Sequence, residues 1–188
     1  NAARQEVLTR KDQGGSVTTP PISADAIEEA ARLIASARRV YVIGSRSAYS
    51  FAHYTVYMAR MVFDNFNLIA PSGASDAEDL AQMSHDDVII TFSSRPYSSE
   101  TVQLVRVAQK LNIKTIAITD AATSPLAKAA TIAVTTTIRK SQFLYQIGPF
   151  FHAIEQILET CFSRPFTKAK ERIRFFAERV DAIRGYWR

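Results

Sequence analysis

The sequence predicts an α/β chain folded as a three-layer αβα sandwich around a five-stranded parallel sheet. Three observations carry that expectation. Short β-branched apolar runs recur five times, each alternates with a stretch of helical spacing, and no internal repeat breaks the series. A strand that is apolar along its whole length must be covered on both faces, and a parallel sheet flanked by helices is the arrangement that covers it.

Residues 1–22 are polar, carry Gly14-Gly15 and Pro20-Pro21, and read as a linker or loosely docked arm ahead of one domain spanning 23–188. The start at Asn1-Ala2 rather than Met is read as the scar of an excised fragment. Ser23 is an N-cap for a helix that places Ile27, Ala30, Ala31 and Ile34 on one side. Val40 to Ile43 is the first strand, stopped by Gly44. Residues 48–63 then repeat apolar positions at helical spacing through Phe51, Tyr54, Met58, Met61 and Val62. Residues 67–70 read as a second strand, and Ser75-x-x-Glu78 is a capping box opening a short helix. The clearest strand is 87–92, followed by a helix over 99–111 with Val102, Val105 and Ala108 on one side. Residues 115–118 and 131–134 complete the sheet. Two long helices, 141–162 and 165–185, close the chain.

Bulk composition narrows the function classes. With 188 residues, 47% of them apolar, the chain is long enough for one domain with a full core. No apolar run nears the ~20 residues of a membrane span, and no secretory signal opens the chain. One cysteine, Cys161, excludes an internal disulfide, so a reducing cytoplasm is the expected location. Three scattered histidines (His53, His85, His152) and that thiol make no metal-ligand set. The net charge of +5 resides in residues 164–188, and the remainder is neutral. A neutral body with a basic final helix argues for a solvated helix face rather than a nucleic-acid footprint.

The right-handed crossovers of a parallel sheet leave every strand's C-terminal end on one edge, and ligands of open α/β sheets bind there. Three segments at that edge are rich in hydroxyls: Gly44 to Ala48, Ser93 to Thr101, and Thr119-Asp120 through Ser124-Pro125. A loop feeding a helix offers unpaired N–H groups and the positive end of the helix dipole, and serine hydroxyls add donors for phosphate oxygens. Arg46 and Arg95, one in each of the first two loops, can fork onto a phosphate or carboxylate. Capping is the competing reading. It suffices for Ser75 and is as good for Ser47. The second loop holds Ser93, Ser94, Ser98, Ser99, Thr101 and Arg95, more than one helix start needs. Tyr97 either walls the pocket or packs on Pro96, and Asp120 either caps the next turn or holds a ligand hydroxyl. Gly44 with no later glycine is neither a dinucleotide nor a Walker loop, so no cofactor is expected. His53 and His152 fall inside helices, away from any serine nucleophile, and Cys161 reads as core.

The same three loops resemble the SIS (sugar isomerase) fold, a phosphosugar-binding module of flavodoxin-like topology, and within it the effector domain of RpiR-type bacterial transcription regulators. The resemblance is carried by VYVIGSRSAYSFAHY at 40–54 and more strongly by DVIITFSSRPYSSETVQLVRVAQKLNIKTIAITDAATSPLAKAATIAV at 87–134. It covers roughly residues 24–160. It implies phosphate contacts from Ser45, Ser47, Ser93, Ser94, Ser98 and Ser99. Many such modules have a second glycine in the first loop and a Ser-Gly pair in the second. Here Arg46 and Arg95-Pro96 stand in those places, which narrows the pocket and adds charge. It further implies a homodimer or higher homo-oligomer, with Ser141 and Gln142 near the site, and DNA contact only through a separate N-terminal helix-turn-helix domain.

The expected function is therefore sensing of a small anionic sugar metabolite without catalysis, with no membrane contact. The enzyme alternative is a phosphosugar ketose–aldose isomerase, which needs a base near the substrate carbon, and Glu100 and then Asp120 are the nearest carboxylates. A module that has lost its ligand and only dimerises is the third reading.

Overall fold

The computed structural model describes residues 21–69, 80–165 and 168–185. The capping box at Ser75 and most of the N-terminal arm lie outside the described residues. Helix α1, Ala24–Ser36, is capped by the Ser23 side chain, which accepts the Ala26 N–H, and buries the four expected residues Ile27, Ala30, Ala31 and Ile34. Strand β1, Val40–Ile43, is buried throughout. It leads through a 3-10 turn, Arg46–Ala48, into α2, Tyr49–Ala59. Then follow β2, Phe66–Ile69, and β3, Val88–Ser93. Helix α3 is Ser99–Lys110, β4 is Lys114–Thr119, α4 is Pro125–Ala129 and β5 is Ile132–Thr135.

All five strands are parallel, in the order β2-β1-β3-β4-β5. Side chains alternate between the two faces, as the period of a strand requires. Val40, Val42, Ile90, Phe92, Ile116 and Val134 face a core shared with α1, α2 and Gly148–Phe162, the helix we call α5. Tyr41, Ile43, Ile89 and Ala117 face a second core with Leu104, Val105 and Ala108 of α3 and Leu126 of α4. This is the three-layer sandwich, with its topological switch between β1 and β3, where the chain turns first to one side of β1 and then to the other.

The expected helix over 141–162 is shorter. Residues Arg139–Lys140 (β6) and Tyr145–Gln146 (β7) pair antiparallel as a small hairpin, and α5 starts only at Gly148. Pro149 explains the boundary. In the first turn its missing N–H is harmless, whereas inside a longer helix its ring would strike the carbonyl four residues earlier. Ser141 and Gln142 accordingly sit in the hairpin turn, where the Ser141 hydroxyl accepts the Leu144 N–H, and not at a helix start. The last helix, α6, spans Ala169–Ala182 and buries only Ala169, in keeping with a solvated basic face. It is tied to the body where the Arg172 guanidinium donates to the Val62 carbonyl and lies 3.7 Å from Asp64.

At the opposite, N-terminal edge of the sheet, Asp87 is fully buried and meets the Arg38 guanidinium at 2.6 Å. Its carboxylate also accepts the Ser84 N–H at 2.8 Å. Burial alone would raise its pKa, but the Ser84 and Arg38 hydrogen bonds and the Arg38 charge outweigh it and hold Asp87 below the ordinary aspartate value. Among the described residues no helix is long and apolar enough to cross a membrane, and no cluster of side chains fits a metal.

Candidate functional site

The first two hydroxyl loops meet. The loop after β1 and the loop after β3 lie side by side at the switch point because their strands are neighbours, with Ile43 opposite Thr91. The Thr101 hydroxyl, in the first turn of α3, donates to the Ser45 hydroxyl at 3.4 Å, joining residues 56 positions apart. Between the loops lies a cleft of about 390 Å³. Its wall includes Ser45, Arg46, Ser47, Ser93, Ser94, Arg95, Tyr97, Ser98 and Ser99, so nine of the ten residues singled out from the sequence stand together. Asp120 is the tenth and is not on the wall. Its carboxylate accepts the Arg95 N–H and the Thr119 hydroxyl, each at 3.3 Å, and so fastens the second loop from behind.

Local chemistry sets each side chain. Gly44 ends β1 where a Cβ would lie 2.2 Å from the Ala48 carbonyl oxygen, so only glycine lets the chain turn back so closely. Arg46 has a left-handed backbone with φ 55°, a conformation ordinarily left to glycine. Neither Ser45 nor Ala48 caps the start of its helix with a side chain; the Ala48 N–H donates to the Ser45 carbonyl and the Tyr49 N–H to the Arg46 carbonyl. In the second loop Ser98 is partly the capping residue that the bland reading requires, since its hydroxyl accepts the Thr101 N–H at 3.4 Å. Ser93, at the end of β3, accepts the Ser98 N–H at 3.2 Å and shapes the loop. The Arg95-Pro96 peptide bond is cis. Ser94 and Ser99 make no side-chain hydrogen bond among the described residues.

The side chains that wall the cleft carry positive charge, with the Asp120 carboxylate behind the second loop. Its wall has two guanidinium groups and, among the described residues, no aspartate, glutamate or histidine. Neither Arg46 nor Arg95 forms an ion pair within that set. The Tyr97 hydroxyl is buried beside Asp120 and Arg95, both close enough to act on it, although neither meets hydrogen-bond geometry. Burial first, and then the Asp120 carboxylate, push this phenol above its ordinary pKa, so it remains a neutral donor.

Sequence reasoning missed Tyr145, Ile147 and Phe150, which close the cleft from the hairpin and the start of α5, together with Phe51 and Phe92 at its floor. Lys140 lies 5.6 Å from the centroid of the Tyr145 ring. Two clefts about twice as large occur elsewhere. One, of about 870 Å³, lies between residues 60–64 and α6, and the other, of about 800 Å³, between α1 and α5. Neither sits at the strand C-terminal edge or holds the hydroxyl loops. The expected core cysteine is core: Cys161 is buried, and burial pushes its thiol up to about 12.

The model of the SIS domain family matches residues 33–160, more than half of the chain. No curated protein matches at a significant level. Among solved structures, the sugar isomerase domain of an RpiR transcription factor from Sphaerobacter thermophilus aligns at TM-score 0.78 and 21% identity, over 84% of this chain and 88% of that one. The Vibrio vulnificus NanR protein complexed with ManNAc-6P aligns at TM-score 0.74 and 16% identity, over 88% of this chain and only 63% of that one. A Methanococcus jannaschii protein, whose structure infers a 3-hexulose-6-phosphate isomerase function, aligns at TM-score 0.56 and 14% identity, over 84% and 78% of the two chains.

Proposed function

The chain belongs to the SIS domain family, and from that premise we propose that it is the sensing domain of a bacterial DNA-binding transcription regulator. It binds a sugar phosphate or related anionic sugar metabolite and does not transform it. The observation that carries this reading is the cleft at the β1/β3 switch point, walled by serines and two arginines and free of acid or histidine among its described residues. Hydroxyls, helix N–H groups and guanidinium forks are donors, which is what phosphate oxygens require. Moving a proton between sugar carbons requires an acceptor instead. The similarity of fold to the Sphaerobacter RpiR domain and to NanR supports the regulatory setting. The DNA-binding half is supplied by a separate helix-turn-helix domain, and the sensing unit works as a homodimer whose arrangement the ligand biases by its differential affinity.

Titration calorimetry of the chain against a panel of phosphosugars and sugar acids tests the reading, with an assay for ketose–aldose interconversion on every compound that binds. Saturable binding of at least one member with no turnover is expected. Absence of heat across the panel removes the sensing role and leaves a dimerising module. Turnover that vanishes in Glu100→Gln replaces it with the isomerase.

A further inference from the structure

We propose that the ligand of this cleft carries two separate anionic groups, a phosphate and a carboxylate, as a phosphorylated sugar acid does. The inference rests on the phosphosugar reading above and narrows it to a ligand class. On the phosphosugar reading, one phosphate is held by the second loop, where Ser94, Ser99 and Arg95 line the cleft at the start of α3. A second guanidinium, from Arg46, then stands on the wall of the same cleft with no acidic residue there to neutralise it. The neutral hydroxyls of a sugar do not call for a guanidinium, whereas a carboxylate matches its planar fork. Lys140, against the Tyr145 ring that helps wall the cleft, adds a third positive charge nearby.

The backbone of Arg46 makes the same point independently. Its φ of 55° is free to glycine and strained for arginine. The exposed side chain forms no ion pair among the described residues that offsets this strain. Strain of this kind is kept at ligand clamps. The compensating contact is therefore with the ligand, and Arg46 holds its carboxylate. A cleft of about 390 Å³ suits a six-carbon chain with a phosphate at one end.

The test compares two linear six-carbon phosphates that differ only at C1: 6-phosphogluconate, with a carboxylate there, and sorbitol 6-phosphate, with an alcohol. Calorimetry on the whole chain is expected to give at least about tenfold tighter binding of the gluconate, the scale of one added charge-assisted hydrogen bond. In Arg46→Gln the ratio is expected to fall to within about twofold, with a thermal melt confirming that the variant is folded. Equal binding of the two compounds by the unaltered chain overturns the inference and leaves the phosphosugar reading standing. A tenfold ratio that persists in Arg46→Gln overturns the role given to Arg46. Failure of both compounds to bind overturns the inference, whereas the reading beneath it falls only if the wider panel gives no heat either.

Discussion

Replacing Arg46 by glycine is expected to make the chain more stable and the sensor worse. The backbone at Arg46 is left-handed, φ 55°, which costs an L residue with a side chain about 1–2 kcal/mol. Glycine removes that cost but gives back about 0.5–1 kcal/mol through its greater freedom in the unfolded chain. The side chain is exposed and forms no ion pair among the described residues, so its removal forfeits little packing. The net gain is about 0.5–1 kcal/mol, or a rise in Tm of about 1–4 °C for a chain of this size. Binding moves the other way. Loss of a charge-assisted hydrogen bond at an open cleft weakens a phosphorylated ligand by about 1.5–2 kcal/mol, more than tenfold. Differential scanning calorimetry with and without 6-phosphogluconate reads both quantities in one experiment. Arg46→Gly should melt higher alone and gain less from ligand. A lower melting point without ligand means that the left-handed backbone is not strained by the arginine, and an undiminished ligand increment removes Arg46 from the site.

Gly44→Ala places a Cβ 2.2 Å from the Ala48 carbonyl oxygen and 2.9 Å from the Tyr49 nitrogen, all backbone, so the first loop must move. A loss of about 1–3 kcal/mol in urea unfolding is expected, accompanied by weaker ligand binding, and a neutral variant contradicts the close turn. The depressed pKa of Asp87 stabilises the fold fully above the unfolded aspartate value and progressively less as pH falls through the folded one. Stability should therefore drop below about pH 4, and Asp87→Asn should be less stable near neutrality with a shallower acid slope; an identical slope in the two proteins contradicts this. With its thiol raised to about 12 by burial, Cys161 should resist Ellman's reagent in the native chain and react fully in denaturant, and rapid native labelling would show the helix packing to be wrong.

The sheet was legible because its strands carry their own signal. Val88 to Phe92 is apolar or β-branched at every position and is buried at every position, which no solvent-facing strand or amphipathic helix sustains. The hairpin over 139–146 was not legible. Its strands are two residues each, and Phe143 and Leu144 in the turn are 82% and 72% exposed, so apolar residues stood where a helix face was expected. Missing that hairpin hid Tyr145 and Ile147 from the site. The serines and arginines could be chosen from the sequence because hydroxyl density in a loop after a strand has few structural uses. The contact between Ser45 and Thr101 could not, since it depends on β1 lying beside β3, a fact of topology rather than of any local pattern. Asp120 shows the limit in another way. Its residue type suggested a cap or a ligand contact, and its carboxylate bonds the Arg95 N–H across 25 residues, a partner no local pattern announces.

Backbone amide NMR of the chain, titrated with 6-phosphogluconate, addresses the shared cleft most directly. Resonances from Ser45 to Ser47 and from Ser94 to Ser99 should shift together along one saturation curve, with Tyr145 following and α6 unmoved. Shifts confined to a single loop, or centred on the cleft between residues 60–64 and α6, would mean that the two turns do not hold one ligand between them.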